Sequence, residues 1–447
     1  MSLGDELRAA RRGKGWSYSR LVAAIRDQAR RDGVRIMSDR SLTTAISRWE
    51  NNRNKPDRLY MTLLAAVLGL PDADDVLVRS AKYERDIDQA VNFLEHLSRL
   101  DNGENDLGNS AAQLVDADRV ITGYLFARSY AVDDDRHLTD RKGSHGDSVA
   151  ERIRSTASTL MSVDFALGGG HVRETLITYF HANVIPELRS ASADMRGDVY
   201  AAAAEVAQLL GWSAYDAGSH AVAARYFSLG LRLADEAHDQ MLGARLLANL
   251  SHQSNFIGNH SQALEFARAA QAALRGRGAP KVETMCVMME ARALASLGDR
   301  RGASAAVIHA ERVFERRSVD EPDWIGYYDA AELAGDIAHA FRDLAAPSEA
   351  GEFARAALTP TTPRRTRAFI QLVAAEVALA AGDLDQAAHL ATSALHSGDG
   401  LSSHRYVNYL QKFTGSVPHM DEPELAEFVD LLATRHPQFI APRKNRR

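Results

Sequence analysis

Along most of the chain apolar residues recur at three- and four-residue spacing, the period of one helical face. Leu3, Leu7 and Ala10 mark a first helix, which Gly13 and Gly15 end. Ser17 can cap a second helix with Leu21, Val22 and Ile25 on its apolar side. Asp32-Gly33 breaks the pattern, and Asp39 can cap a third helix, Arg40 to Asn51. A fourth follows Pro56 and carries Leu59, Leu63, Leu64, Val67 and Leu68 up to Gly69. Residues 81–100 continue as a connecting helix through Ala81, Ile87, Val91, Leu94 and Leu97. Residues 101–118 are acidic and without period, which predicts a linker, and the polar run 132–148 predicts a mobile loop.

From about residue 200 the chain repeats itself. A small residue is followed by Ala five positions on, then by small or apolar residues four and three further. Gly218, Ala223, Phe227 and Gly230 form one copy, and Gly258, Ala263, Ala267 and Ala270 the next. Gly298, Ala303, Val307 and Ala310 follow at the same spacing. Ala345, Ala350, Ala354 and Ala357 make a looser copy, and Gly382, Ala387, Ala391 and Ala394 a close one. Such a pattern describes helical hairpins: glycine ends one helix, and alanines let the next pack tightly. The predicted fold is therefore all-α, a small N-terminal helix-turn-helix domain followed by an α-solenoid. The expected divisions are a head at 1–80, a connector at 81–148, a helical lead-in at 149–200, repeats at 201–415 and a C-terminal helix with a basic tail at 416–447.

Composition agrees with helices: apolar residues make up 45%, while only 12 of 447 residues are Pro. No apolar run approaches the roughly 20 residues that span a bilayer, and the charged start predicts no signal peptide. The single cysteine, Cys286, lies in an apolar helical run and predicts a buried spectator in a cytoplasmic chain. Charge is distributed unevenly. Residues 1–60 hold 14 Lys/Arg against 7 Asp/Glu, or +7, so the net −6 leaves −13 for the remainder. A basic head on an acidic body suits a head that meets nucleic acid.

The third helix carries the matching chemistry. Leu42, Ala45, Ile46 and Trp49 share an arc of about 100°, and Thr43, Thr44, Ser47 and Arg48 occupy the opposite one. Short hydroxyls and a guanidinium suit a helix in a major groove, where Arg can pair with guanine O6 and N7. The run ISRWENNRNKPDRLYMTLLAAVLGL (46–70) resembles the XRE-type repressor family. The resemblance rests on Ile46, Ser47, Arg48, Trp49 and Glu50, on Arg53, Lys55 and Pro56, and on the ending Leu68-Gly69-Leu70. It implies that Thr43, Thr44 and Arg48 read bases and that Asn51, Arg53 and Lys55 hold phosphates. Ser47 and Ser17 complete the DNA-facing set. Asn52 stands where the family has a turn glycine, and the segment before the third helix, with Arg30, Arg31 and Arg35, is longer than the family's tight turn.

The repeat spacing resembles tetratricopeptide repeats with lengthened turns. The chain from about 150 resembles an actinobacterial family that joins an XRE head to such repeats, on LGGGHVRETLITYF (167–180), LLGWSAYDAG (209–218), RYFSLGLRLA (225–234), EARALASLGD (290–299) and EPDWIGYYDAAELAGDIAHAFRDL (321–344). The resemblance implies a transcriptional regulator. Tetratricopeptide register then implies a concave face carrying Glu205, Gln208, Trp212, Tyr215 and Asp216, next Arg245, His252 and Asn255, then Arg292, Glu332, His339, Arg342 and Glu376. This mixed-charge face with aromatics suits either a peptide or small-molecule effector, or a self-satisfied surface that binds only another subunit.

Other chemistry finds little footing. Gly168-Gly169-Gly170 has no preceding strand and no following Gly-Lys-Ser/Thr, so a helix–helix corner is expected rather than a phosphate loop. His137 and His145 lack metal-ligand spacing. No catalytic motif is present, and neither an enzyme, a metal nor a cofactor is expected. The expected partners are duplex DNA bearing an inverted-repeat operator, a second copy of the chain as a homodimer, and an effector, with no membrane contact. The alternative is a constitutive repressor whose repeats serve only dimerisation or docking.

Overall fold

The computed structural model describes residues 148–439 apart from 275–277, 317–320 and 418, together with 87–99, Asp101, Val120, Ile121 and Tyr124. Nearer the N-terminus it describes Leu7, Arg8, Arg11, Arg12, 14–31, 36–50, Pro56, Tyr60, Leu63, Leu64, Val67 and Leu68. Contacts divide the chain into Met1–Asp86 and Ile87–Arg447. The described residues are helical, with no strand among them, and none of their helices is long and apolar enough to cross a membrane. The expected linker at 101–118 and loop at 132–148 lie outside the described residues except for Asp101 and Ser148. Asp101 is packed rather than linking: it pairs with Arg173 and accepts from the Tyr226 hydroxyl at 3.2 Å.

In the first unit, α1 (Tyr18–Arg31) and α2 (Asp39–Glu50) pack around Leu7, Leu21, Ile25, Leu42, Ile46 and Leu63, all fully buried. Gly15, at φ +65°, follows the first helical residues, and Ser17 caps α1 by accepting from the Arg20 N–H at 3.2 Å. The cap of α2 is Ser38, not Asp39. Its hydroxyl accepts from the Ser41 N–H at 3.3 Å and its carbonyl from Leu42 N–H at 2.8 Å. Asp39 is occupied by Arg26 and lies in the first turn, where a carboxylate complements the helix dipole.

In the second unit, α3 (Ile87–Arg99) precedes a hairpin of α4 (Val149–Leu167) and α5 (Gly169–Tyr179). A π-helical turn, Phe180–Val184, leads to α6 (Ile185–Ser190). Five hairpins then stack in sequence. They are α7 (Arg196–Asp216) with α8 (His220–Glu236), α9 (Gln240–Phe256) with α10 (His260–Ala273), and α11 (Pro280–Ser296) with α12 (Arg300–Phe314), then α13 (Ala330–Asp343) with α14 (Pro347–Ala357) and α15 (Arg364–Ala380) with α16 (Leu384–Ser397). Two last helices follow, α17 (His404–Ser416) and α18 (Ala426–Arg435).

The repeated small residue lies at each hairpin turn. Gly218, Gly258, Gly298 and Gly382 have φ between +77° and +88°, the left-handed conformation that halts a helix and spares glycine the Cβ clash. Ala345 takes the same place at +51°, at a steric cost that glycine avoids. Ala223, Ala263, Ala303, Ala350 and Ala387 are all fully buried, letting paired helices approach closely. Cys286 is buried as expected, and burial pushes its thiol pKa up.

The glycine run closes the stack. Gly168 (φ +89°) forms the corner between α4 and α5, and the last repeats meet it there. Gly170 N–H donates to Ser402 O and Ser402 N–H donates to Leu167 O, each at 3.0 Å. A Cβ on Gly170 would lie 2.0 Å from Ser402 Oγ, so glycine is required by this approach. The Gly169 N–H is satisfied by the Asp216 carboxylate at 3.0 Å, which leaves that helix terminus no role as an anion site.

Candidate functional site

The first helices of successive hairpins face one another inside the second unit and line a partly open cavity of about 140 Å³. Of the residues expected on the concave face, Gln208, Trp212, Arg245, His252, Arg292, Glu332 and His339 line it. Asp164 of α4, Asn249 of α9, Arg365 of α15 and Arg405 of α17 join them.

Most of the charge inside is paired. Arg365 bridges Asp164 at 2.9 Å and Asp216 at 2.7 Å, and all three are buried. Asp216 also accepts from the Ser403 hydroxyl at 2.9 Å and lies 3.7 Å from Arg405. Burial alone would raise its pKa, but Arg365, Arg405 and the Gly169 N–H outweigh that and hold it below the usual carboxylate value. Asp216 therefore ties the fold and does not line the cavity, contrary to the repeat-register expectation. The Arg405 guanidinium is held over the rings of Tyr215, Phe369 and Trp212 at 4.7, 5.1 and 5.2 Å. Arg292 pairs with Asp336 at 3.0 Å, and Tyr328 donates to the same carboxylate at 2.9 Å.

Two histidines stay neutral in this setting. Burial, then the nearby Arg292, pushes His252 and His339 well below the ordinary histidine pKa. Glu332 moves the other way: burial first, then Asp336 and Asp329, raises it to about 8, against the opposing pull of Arg365 and Arg292. Its folded pKa exceeds the unfolded value of 4.5, so its contribution is complete below 4.5 and is lost as pH rises through 8. Glu332→Gln cannot titrate there. The melting temperature of the variant relative to wild type should climb between pH 5 and 8, ending about level above that. A difference independent of pH would show that Glu332 is not perturbed.

Arg245 stands apart from the other arginines. Only 5% exposed, it has no carboxylate within ion-pair distance among the described residues. Its contacts are the Trp324 ring at 4.7 Å and the Met161 sulfur at 3.9 Å. Tyr327 and then Glu205 act on it electrostatically, and Glu205 is taken by Arg154 at 2.9 Å. One turn along α9, the buried Asn249 Nδ2 has no hydrogen-bond partner among the described residues, nor has Gln208 Oε1 on α7.

Asn255 and Arg342 belong to a second, wider groove of about 790 Å³, shared with Arg292 and Glu376. Asn255 is engaged with His260 at 2.8 Å. Arg342 pairs with Asp343 at 2.6 Å and Glu376 at 3.5 Å. Tyr215 is buried behind the aromatic wall, its hydroxyl 3.0 Å from His252 Nδ1.

In the first unit, α2 buries Leu42, Ile46 and Trp49 and turns Thr44 and Arg48 to solvent. Thr43 and Ser47 are half-buried. The two threonine hydroxyls donate to the carbonyls of Asp39 (2.7 Å) and Arg40 (3.0 Å). Ser17 is exposed but committed to its cap. Asn51, Arg53 and Lys55 lie outside the described residues. Glu50, matched in the sequence as part of a motif, is a structural tie. It is 1% exposed and receives Arg11 Nε at 2.6 Å, Arg11 Nη2 at 2.8 Å and the Tyr18 hydroxyl at 3.0 Å.

Sequence reasoning did not reach Asp164, Asn249, Arg365 or Arg405. Asn249 is one turn from Arg245 and could have been found by extending that stripe along α9. Arg365 sits among Arg364 and Arg367 and reads as a solvated helix start. No family model matches this chain, and neither does any curated protein or solved structure.

Proposed function

We propose that this chain is a sequence-specific DNA-binding transcriptional regulator, whose head reads duplex DNA through α2 and whose repeat unit senses an effector. The observation that carries the reading is the two-faced α2. Its apolar side is anchored in the head's core, and its other side offers Thr43, Thr44 and Arg48 from a segment of charge +7. A rigid helix of this kind can present a guanidinium and threonine methyls to base edges, while the surrounding cations meet phosphates. Two copies on an inverted repeat would double the contacts that one head makes. The partnerless polar atoms in the chamber favour a bound molecule over repeats that serve only docking.

Arg48→Ala is the direct test. Titrated by fluorescence anisotropy against the duplex that the wild type enriches from a random pool, it should lose about 1–3 kcal/mol and relax preference at one base pair. Unchanged affinity and unchanged preference would remove α2 as the reader.

A further inference from the structure

We propose that the 140 Å³ cavity is a receptor site for a compact organic carboxylate, which Arg245 holds through its guanidinium fork while Asn249 and Gln208 meet the remaining polar atoms. The inference rests on the reading of the repeat unit as the sensing part.

Arg245 is a chamber arginine with no carboxylate partner among the described residues. A guanidinium presents five N–H groups in a fixed fork that matches a carboxylate. Arg292, Arg342 and Arg365 each have a carboxylate, and Arg405 has Asp216 and its aromatic surround. Arg245, equally enclosed, has none among the described residues, and its face rests on Trp324. Burying an unpaired cation is unfavourable, and a bound anion would offset that cost. The Asn249 Nδ2 donor and the Gln208 Oε1 acceptor are buried around the same space, with no partner among the described residues. One anionic group flanked by a further donor and acceptor would satisfy all three residues.

Size and walls narrow the class. The volume is close to the roughly 150 Å³ that accommodates a benzene ring, and well short of the roughly 300 Å³ at which drug-sized ligands begin. Met161, Phe165, Met285 and Met289 supply apolar walls, which favour an organic anion over inorganic phosphate.

The test uses the full chain without DNA, so its failure and failure of the DNA reading are separate results. Lactate, 3-hydroxybutyrate, salicylate, mandelate and inorganic phosphate are each added at about 10 mM, where even weak binding raises the melting temperature. The expected result is a rise with at least one carboxylate, none with phosphate, and loss of the response in Arg245→Met. That variant should itself melt higher than the ligand-free wild type, by roughly 2 °C, because it replaces an uncompensated buried charge by an apolar chain. A lower melting temperature for ligand-free Arg245→Met would mean that Arg245 is a structural residue and would overturn the proposal. So would a carboxylate response that survives the substitution, a response to phosphate alone, or no response to any of the four carboxylates.

Discussion

Asp216→Ala is expected to destabilise the repeat unit by about 3–5 kcal/mol, the range for removing one partner of a buried ion pair. The carboxylate accepts from Arg365, Ser403 and the Gly169 N–H, and it faces Arg405. Its loss leaves Arg365 with Asp164 alone and Arg405 with only aromatic faces. The damage should concentrate where the first hairpin meets the last helices, because Gly169 is anchored by Asp216 and Gly170 by Ser402. Amide hydrogen exchange at Gly169, Gly170 and Ser402 should accelerate more than exchange within α9 or α11. A loss below about 1 kcal/mol in denaturant unfolding, with exchange unchanged at that junction, would show that the cluster does not close the stack.

That junction also marks where legibility stopped. The turns at Gly218, Gly258, Gly298 and Gly382 were readable because a left-handed residue between two helices leaves a local, periodic trace. Arg245, His252 and Arg292 were readable for the same reason, since helical register fixes which way a side chain points. Register does not say what will pack against that side chain. Asp216 points inward as expected, yet α17 covers it with Ser403 and Arg405, turning a groove position into a buried tie. The Asp164–Arg365 pair spans 201 residues and arises only when the stack closes, so no local pattern encodes it. The triple glycine was legible as a corner, whereas its partner Ser402 left no sign. At α2 the misplaced cap was a choice between Ser38 and Asp39, two adjacent residues of equal capping ability.

Glu50→Ala should have the second large effect, and it should fall on the head. The substitution strands the buried Arg11 guanidinium and removes the acceptor of Tyr18, a further cost of about 3–5 kcal/mol. A unit of 86 residues has a total stability of roughly 4–13 kcal/mol, so the loss takes a large share of it. Differential scanning calorimetry should show the head's transition moved strongly down or abolished while that of the repeat unit stays in place. DNA binding should disappear with it, although Glu50 is turned away from solvent and cannot touch a duplex. A calorimetric trace like the wild type's would contradict the assignment of Glu50 as the tie between Arg11 and the end of α2.

On the proposed reading α2 would meet base edges, and a ligand would satisfy the chamber's unmet polar groups. That reading stands or falls on recognition of a DNA sequence by the chain. The most direct measurement is selection of the full-length protein on a random duplex library at about 150 mM salt, where surface charges are screened beyond about 8 Å and generic phosphate attraction is weakened. Enrichment of one motif with two inverted half-sites is expected, sharpest at the base pairs lost in Arg48→Ala. A bound fraction indistinguishable in sequence from the input library would contradict it.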